Sequence, residues 1–402
     1  MELTTIDITN ATFKANPFPF YARLRTEAPV YPVTLKRFGR TWLVTRYNDV
    51  LEVLKDERFV KDPKNAMTPE QLKKAPRMPA MFKPFSKSLL SLDDPDHARL
   101  RVLVHKAFTP RRIEQMRDQV QVVADELLEG IAPRGQMDLI ADYALPLPLT
   151  MIARILGIPS SDNNKFHRWT KTFLSAASNP NPLVIVPAMM SFMRYLRKQI
   201  KERQAHPQDD LITALVQARE GNDMFNEDEV VSMIFLLLSA GHETTVNLIG
   251  SGMLALMEHP DQMQKLRNAP ELSKSAIEEL VRFVCPAETA TERYAREDVT
   301  IAGTTIPRGE MVLAVVGSAN RDPNYFDNPD TIDIARTNNR HLAFGQGIHY
   351  CLGAPLARLE GQIAIPTLLQ RLPNLHLARK PEDLRWRGGM ILRGLEALPV
   401  TF

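Results

Sequence analysis

The chain has 402 residues, 44% of them hydrophobic and 24% charged, which fits a globular protein with a large core and excludes a disordered, collagenous or coiled-coil chain. Its 50 Lys+Arg against 47 Asp+Glu leave a net charge of +3, which gives no reason to expect nucleic acid as a partner. Two cysteines, Cys285 and Cys351, exclude a disulfide framework, and the first residues lack a signal-peptide profile, so a reducing, cytoplasmic setting is expected.

Near the N-terminus, Tyr31-Pro32-Val33 and Thr41 to Thr45 flank the turn-prone Phe38-Gly39-Arg40 and predict a β-hairpin, with a helix following from Asp49. From Asp94 to Glu279 the apolar periodicity is helical almost throughout, broken by signals such as Ser161-Asp162 and Pro180-Asn181-Pro182. Asp94-Pro95 reads as an N-cap followed by proline at the first helical position. In that helix His97 and Arg101 fall one turn apart beside Leu100 and Val104, which predicts two inward cations. Buried cations need an anion, either a protein carboxylate or the acid group of a ligand.

Asn226, with Glu229 placed for a capping box, opens a long helix that runs to Glu258-His259-Pro260. Its first half, Val230 to Leu238, is apolar on nearly all sides and predicts burial. Val230 to Ala240 is nevertheless short for a bilayer, so a soluble protein with no membrane partner is expected. Within this helix Ala240-Gly241-His242-Glu243-Thr244 places a weak helix former beside a carboxyl and a hydroxyl. Two readings stand: a distortion with a proton route, or a kink with a solvated acid. Glu279 and Arg282, three apart on the next helix, are spaced for an ion pair of structural kind.

After Pro286, Val299-Thr300-Ile301, the turn at Ala302-Gly303 and Met311 to Val316 predict strands that return to the first sheet. A last helix after Cys351 and short strands from Leu392 to Phe402 complete the chain. With no linker or repeat, residues 1–402 read as a single domain, mainly α with small β-sheets.

The segment His341 to Arg358 carries the most chemistry. Gly345 and Gly347 permit a tight loop before Cys351, Gly353 lets a flat ligand approach the backbone, and the positive end of the following helix favours a thiolate. Cys285, before Pro286, reads as a buried small hydrophobe. Zinc would ask for further ligands at short spacing and a cysteine hydrolase for a base and an oxyanion hole, so a single thiolate under a planar iron cofactor fits better.

Taken in this order, the motifs resemble those of the cytochrome P-450 family of haem-thiolate monooxygenases, particularly its soluble bacterial members. The cysteine loop (Phe344, Gly347, Cys351, Gly353), the string Ala240, Gly241, Glu243, Thr244, the pair Glu279/Arg282, and His97 with Arg101 carry the resemblance. It implies the family fold, with haem b (iron protoporphyrin IX) between the long central helix and the cysteine-loop helix. It implies Cys351 as the metal ligand, and His97, Arg101, Arg293 and His349 on the haem propionates. Ala240, Gly241, Phe344, Gly345, Gly347 and Gly353 are the other expected cofactor-binding residues. Glu243 and Thr244 are the implied catalytic pair, delivering protons, while Glu279 and Arg282 brace the fold. Many members carry Asp where this chain has Glu243.

The reaction implied is insertion of one atom of O₂ into an apolar organic substrate, by hydroxylation or epoxidation. Electrons would come from a separate ferredoxin or flavodoxin with its reductase, because the chain has no flavin or nicotinamide fingerprint. The protein is expected to be a monomer. Arg99, Lys106, Arg111, Arg112 and Arg358 are candidates for an acidic-partner docking surface. By the same resemblance the pocket is expected from the loop before Asp93, Pro182 to Met193, the haem-facing turn of the long helix, Ala287 to Thr291 and Gly389 to Leu392, with Met189, Met190 and Met193 as lid or core. Rival readings are a peroxygenase driven by H₂O₂ and a haem-binding sensor without oxidation.

Overall fold

The computed structural model describes residues 6–35, 38–74, 88–162, 165–166, 168–169, 172–173 and 182–402. The expected breaker Pro180-Asn181 and residues 75–87 of the loop before Asp93 lie outside these. The fold is mainly helical with small sheets. The helices used below are α1 Ala11–Ala15, α2 Phe18–Glu27, α3 Tyr47–Lys55, α4 Asp96–Ala107, α5 Arg117–Ile131, α6 Pro146–Ile155, α7 Pro182–Ala205, α8 Leu211–Gln217, α9 Glu227–Gly241, α10 Glu243–Glu258, α11 Pro260–Asn268, α12 Ser273–Val284 and α13 Ala354–Arg371. By contacts the chain divides into two units, one of Met1–Pro76, Ala124–Ala144 and Thr244–Phe402, the other of Arg77–Val123 and Leu145–Glu243.

The first unit holds a five-stranded sheet. The predicted hairpin forms as β1 (Val30–Leu35) and β2 (Gly39–Val44), with Pro32 opposite Trp42. The strand Met311–Ala314 returns to it in parallel, Val312 beside Trp42, and the sheet is completed by Arg293–Ala295 and Phe59–Val60. Val299–Ile301 does not join this sheet as expected. It pairs with Thr304–Ile306 in a hairpin of its own, because the turn at Ala302-Gly303 brings the two runs directly together. Helix α3 covers the sheet with Tyr47, Val50, Val53 and Leu54 and begins two residues earlier than Asp49.

Two buried polar systems brace this unit. Glu279 and Arg282 on α12 are both fully buried and form a two-pronged pair, Nε to Oε2 and Nη2 to Oε1, each 2.8 Å. Arg336, Asn339 and the Asp333 N–H also reach the Glu279 carboxylate. Arg282 Nη1 donates to the Asn320 and Pro329 carbonyls. The pair therefore anchors the irregular chain leading to His341. At the other end of the sheet Lys14 on α1 is buried against Glu288 at 2.8 Å, and the Tyr21 hydroxyl donates to the same Glu288 oxygen.

Helix α10 runs through the core with every residue from Thr245 to Leu256 buried. It packs closely because its glycines have no side chain: a Cβ on Gly250 would lie 2.1 Å from Ile140 Cδ1. Together α9 and α10 span Glu227–Glu258, long and apolar enough to cross a membrane by length and composition. The burial of α10 explains that apolarity as a core helix.

In the second unit the predicted capping box starts α9: Glu229 N–H donates to Asn226 Oδ1 and Asn226 N–H to Glu229 Oε2, both at 2.9 Å. Phe235 of α9 packs edge-on to Phe192 of α7. A short hairpin, Arg219–Glu220 with Asp223–Met224, interrupts the expected run of helices.

Candidate active site

The cysteine loop forms as its glycines suggest. Gly345 and Gly347 take φ of 71° and 74°, in the left-handed region open to glycine. At Gly347 the backbone also passes so close to α3 that a Cβ would sit 2.7 Å from the Leu54 carbonyl. Arg293 Nη2 reaches that carbonyl at 3.4 Å, which brings the buried Arg293 and the loop to one point. The Cys351 N–H donates to the Phe344 carbonyl at 2.9 Å, closing the loop just before α13. Cys351 itself is exposed, at the positive end of that helix. His349 is half-buried beside it in the loop.

Phe344 is held from behind. Its ring lies 4.4 Å from the Arg358 guanidinium, and His341 packs against its other side. Arg358 grips Glu278 through Nε and Nη2 at 2.6 and 2.8 Å, and His341 Nε2 lies 3.1 Å from the same carboxylate. Burial alone would raise Glu278, but these hydrogen bonds hold it down at about 2. Cys285 is the opposite kind of thiol: it is fully buried, which pushes its pKa up to about 12.

The long helix breaks at His242, not at Gly241 or Thr244. The buried His242 ring places Nδ1 2.5 Å from the Leu238 carbonyl, the acceptor that a helix N–H would otherwise use. On the side a side chain would take, Gly241 is closed, since a Cβ there would meet Ile152 Cδ1 of α6 at 3.3 Å. The exposed residue is Ala240, while Glu243 and Thr244 are half-buried.

His97 is buried on α4, 3.5 Å from Asp94. Arg101 is not buried with it: four residues turn the helix about 40° past a full circle, which carries Arg101 to the rim, where it donates to His105 at 2.9 Å. Burial pushes the His97 pKa down, disfavouring its charged form, and of the two expected inward side chains only His97 is buried while Arg101 sits at the rim. The helix starts at Asp96 with Pro95 at the cap position, one residue later than predicted, and Asp94 accepts from the Ala98 N–H.

Four of the five expected docking cations are already paired. Arg99 binds Asp223 and Glu229, Lys106 binds Glu220, Arg112 binds Asp209 and Arg358 binds Glu278. Of the expected pocket segments, Ala287 to Thr291 and Gly389 to Leu392 come together, with Ala287 bridged to Leu392 and Thr289 N–H donating to Ile391. Met189 is core, whereas Met190 is exposed.

Sequence reasoning missed Glu360. This fully buried acid on α13 is pushed up to about 8 by desolvation, opposed by a hydrogen bond with Thr245 of α10. Its partner Thr245 is the residue that follows Thr244 on α10. Between pH 4.5 and 8 the folded state therefore binds more protons than the unfolded chain, so stability falls as pH rises and levels off above 8. Glu360→Gln is expected to remove this slope, gaining on the wild type by an amount that grows across the window to on the order of 4 kcal/mol. Urea midpoints measured from pH 5 to 9 check this, and a constant difference between the two proteins counts against it.

The cytochrome P450 family model matches residues 10–391. The polyketide biosynthesis cytochrome P450 PksS of Bacillus subtilis (strain 168) is 45% identical over 97% of this chain and 96% of its own. The chain belongs to the cytochrome P450 family. The solved structure of that PksS superposes with a TM-score of 0.92 at 43% identity, covering 99% of each chain. The mycinamicin IV hydroxylase/epoxidase of Micromonospora griseorubida is 44% identical over 95% of this chain and 94% of its own. The solved complex of P450BioI with a hexadec-9Z-enoic acid-ligated acyl carrier protein has a TM-score of 0.87 and 40% identity, covering 98% of this chain and 99% of that one. As a cytochrome P450 the protein is a monooxygenase and its cofactor is haem.

The residues present fit that cofactor. A Cβ on Gly353 would find Cys351 Sγ alone within 4 Å, at 3.9 Å, so the glycine leaves the sulfur flanked by open backbone on that side. Among the described residues there is no cluster of three or more His, Cys, Asp or Glu to hold a metal. A single thiolate ligand suits an iron whose other, protein-independent ligands a porphyrin would supply.

Proposed function

We propose that this cytochrome P450 hydroxylates or epoxidises an apolar acyl or polyketide chain. Bound haem supplies the redox-active iron at which O₂ is reduced. Cys351 would hold its iron through the thiolate, and His97, Arg101, Arg293 and His349 would hold its propionates. Ala240, Gly241, Phe344, Gly345, Gly347 and Gly353 are assigned to the cofactor's faces. The observation that carries the reading is the exposed Cys351 at the head of α13, in a loop that Gly345 and Gly347 alone can close.

Glu243 and Thr244 are assigned to proton delivery: the half-buried carboxyl takes protons from water and the neighbouring hydroxyl passes them inward. The buried Glu360, its pKa pushed up by desolvation, lies against Thr245 beside this route. Electrons are assigned to a separate ferredoxin or flavodoxin with its reductase. The two units act as one catalytic domain, as a monomer in the bacterial cytoplasm. The acyl or polyketide reading is supported by the relatives' own names, PksS in polyketide biosynthesis and P450BioI with its fatty acyl group.

The test is NADH consumption coupled to an oxygenated product, with surrogate ferredoxin and reductase and a set of fatty acids and macrolides. Coupled turnover is expected, and H₂O₂ alone is not expected to match it. Thr244→Ala should keep consuming NADH while product per NADH falls at least about tenfold, the balance appearing as peroxide or water. Unchanged coupling would remove Thr244 from the proton route.

A further inference from the structure

A groove of about 720 Å³ runs along the outer side of α7, within the second unit. Its walls change character from end to end. Towards the C-terminal end stand Arg194, Arg197, Lys198 and Lys201. Arg197 is paired with Glu227 and Asp228, whereas Arg194, Lys198 and Lys201 are exposed and hold no ion pair among the described residues. The carboxylate at this end, Glu202, faces His206 instead. Towards the N-terminal end the surface turns apolar: Met190 is 52% exposed, Val184 54% and Leu183 85%, an unusual display for side chains of this size.

Helix α7 packs antiparallel on α9, since Arg197 meets Asp228 while Phe192 meets Phe235. The apolar end of α7 therefore points the same way as the Ala240 end of α9. From Asp228 to Ala240 the helix rises about 18 Å. Cations thus gather far from the exposed Ala240, and an apolar lead runs from them towards it.

We propose that this face of α7 docks an acidic acyl carrier protein whose phosphopantetheine arm presents the substrate chain. The inference rests on reading the substrate as an apolar acyl or polyketide chain. Acidic helices meet the unpaired cations, and the tethered apolar chain follows Met190, Val184 and Leu183. A membrane surface fits less well, because it would ask for apolar residues along one face with cations flanking them, and here the two are separated lengthwise. An electron-transfer protein has use for the charge but none for an apolar lead.

The test uses the haem-loaded full chain. Anisotropy of fluorescently labelled palmitoyl acyl carrier protein measures docking, and the spin-state shift with free palmitic acid measures pocket binding. The triple variant Arg194→Glu, Lys198→Glu, Lys201→Glu is expected to weaken carrier binding at least about tenfold and to leave the palmitic acid titration unchanged. Unchanged carrier affinity would overturn the proposal. So would a loss of binding to ferredoxin or to phosphatidylglycerol vesicles in place of the carrier. If palmitic acid gives no shift in either protein while carrier binding still falls on charge reversal, the docking face stands and the substrate reading fails.

Discussion

Cys351→Ser is expected to abolish oxygenation and the red-shifted Soret band of the reduced carbonyl complex while leaving the fold in place. The side chain is exposed, and the bond that closes its loop, from the Cys351 N–H to the Phe344 carbonyl, belongs to the backbone. Serine keeps that bond and removes the electron-rich sulfur. The same substitution at Cys285 should do the reverse. Its thiol is fully buried, 3.3 Å from the Ala287 carbonyl and 3.6 Å from Asn320, distances that the shorter C–O bond of serine stretches beyond good hydrogen bonds, so a hydroxyl there costs stability, about 1–3 kcal/mol, and leaves the Soret band alone. Circular dichroism and the carbonyl difference spectrum of the two variants separate these outcomes. A normal red-shifted band in Cys351→Ser would refute the ligand assignment.

Glu279→Ala should be the most damaging change to stability. It strands Arg282, fully buried, and leaves Arg336 without the carboxylate it shares. Breaking a buried pair by removing one partner costs about 3–5 kcal/mol, a large part of the about 5–15 kcal/mol that holds an ordinary domain. Because Arg282 and Arg336 also fasten the chain at Asn320, Asp327 and Pro329, the loss spreads to the segment entering the cysteine loop. The expected result is poor haem loading and an unfolding midpoint shifted far below the wild type. Glu279→Asp, which keeps the charge at shorter reach, should recover part of both. A Glu279→Ala protein with full haem content and an unchanged midpoint would contradict the anchoring role.

Features specified by neighbouring residues were legible in the sequence. The hairpin around Phe38-Gly39-Arg40, the capping box of Asn226 and Glu229 and the helix after Cys351 each follow from turn, cap or glycine chemistry within a few positions. The Glu279/Arg282 pair was legible for the same reason, one helical turn apart. Its third and fourth members, Arg336 and Asn339, were not, because only the folded chain brings them back to Glu279. His242 was overlooked because its role depends on a side chain replacing a backbone donor, which helix propensity does not express. Glu360 did leave a trace: an acid in the run Leu359 to Leu369, where almost every neighbour is apolar, is the mark of a charge carried into the core. The ion pairs of Arg99, Lys106 and Arg112 were not legible, because their acids, Asp209, Glu220, Asp223 and Glu229, come about a hundred residues later.

The contact of Lys14 and Tyr21 with Glu288 bears on how the protein is produced. Removing the residues through Lys14 would withdraw the ammonium from a fully buried carboxylate, on the strand-like stretch that borders Leu392. Affinity tags therefore belong in front of an untouched first helix, and chains shortened past Lys14 should unfold at a lower temperature.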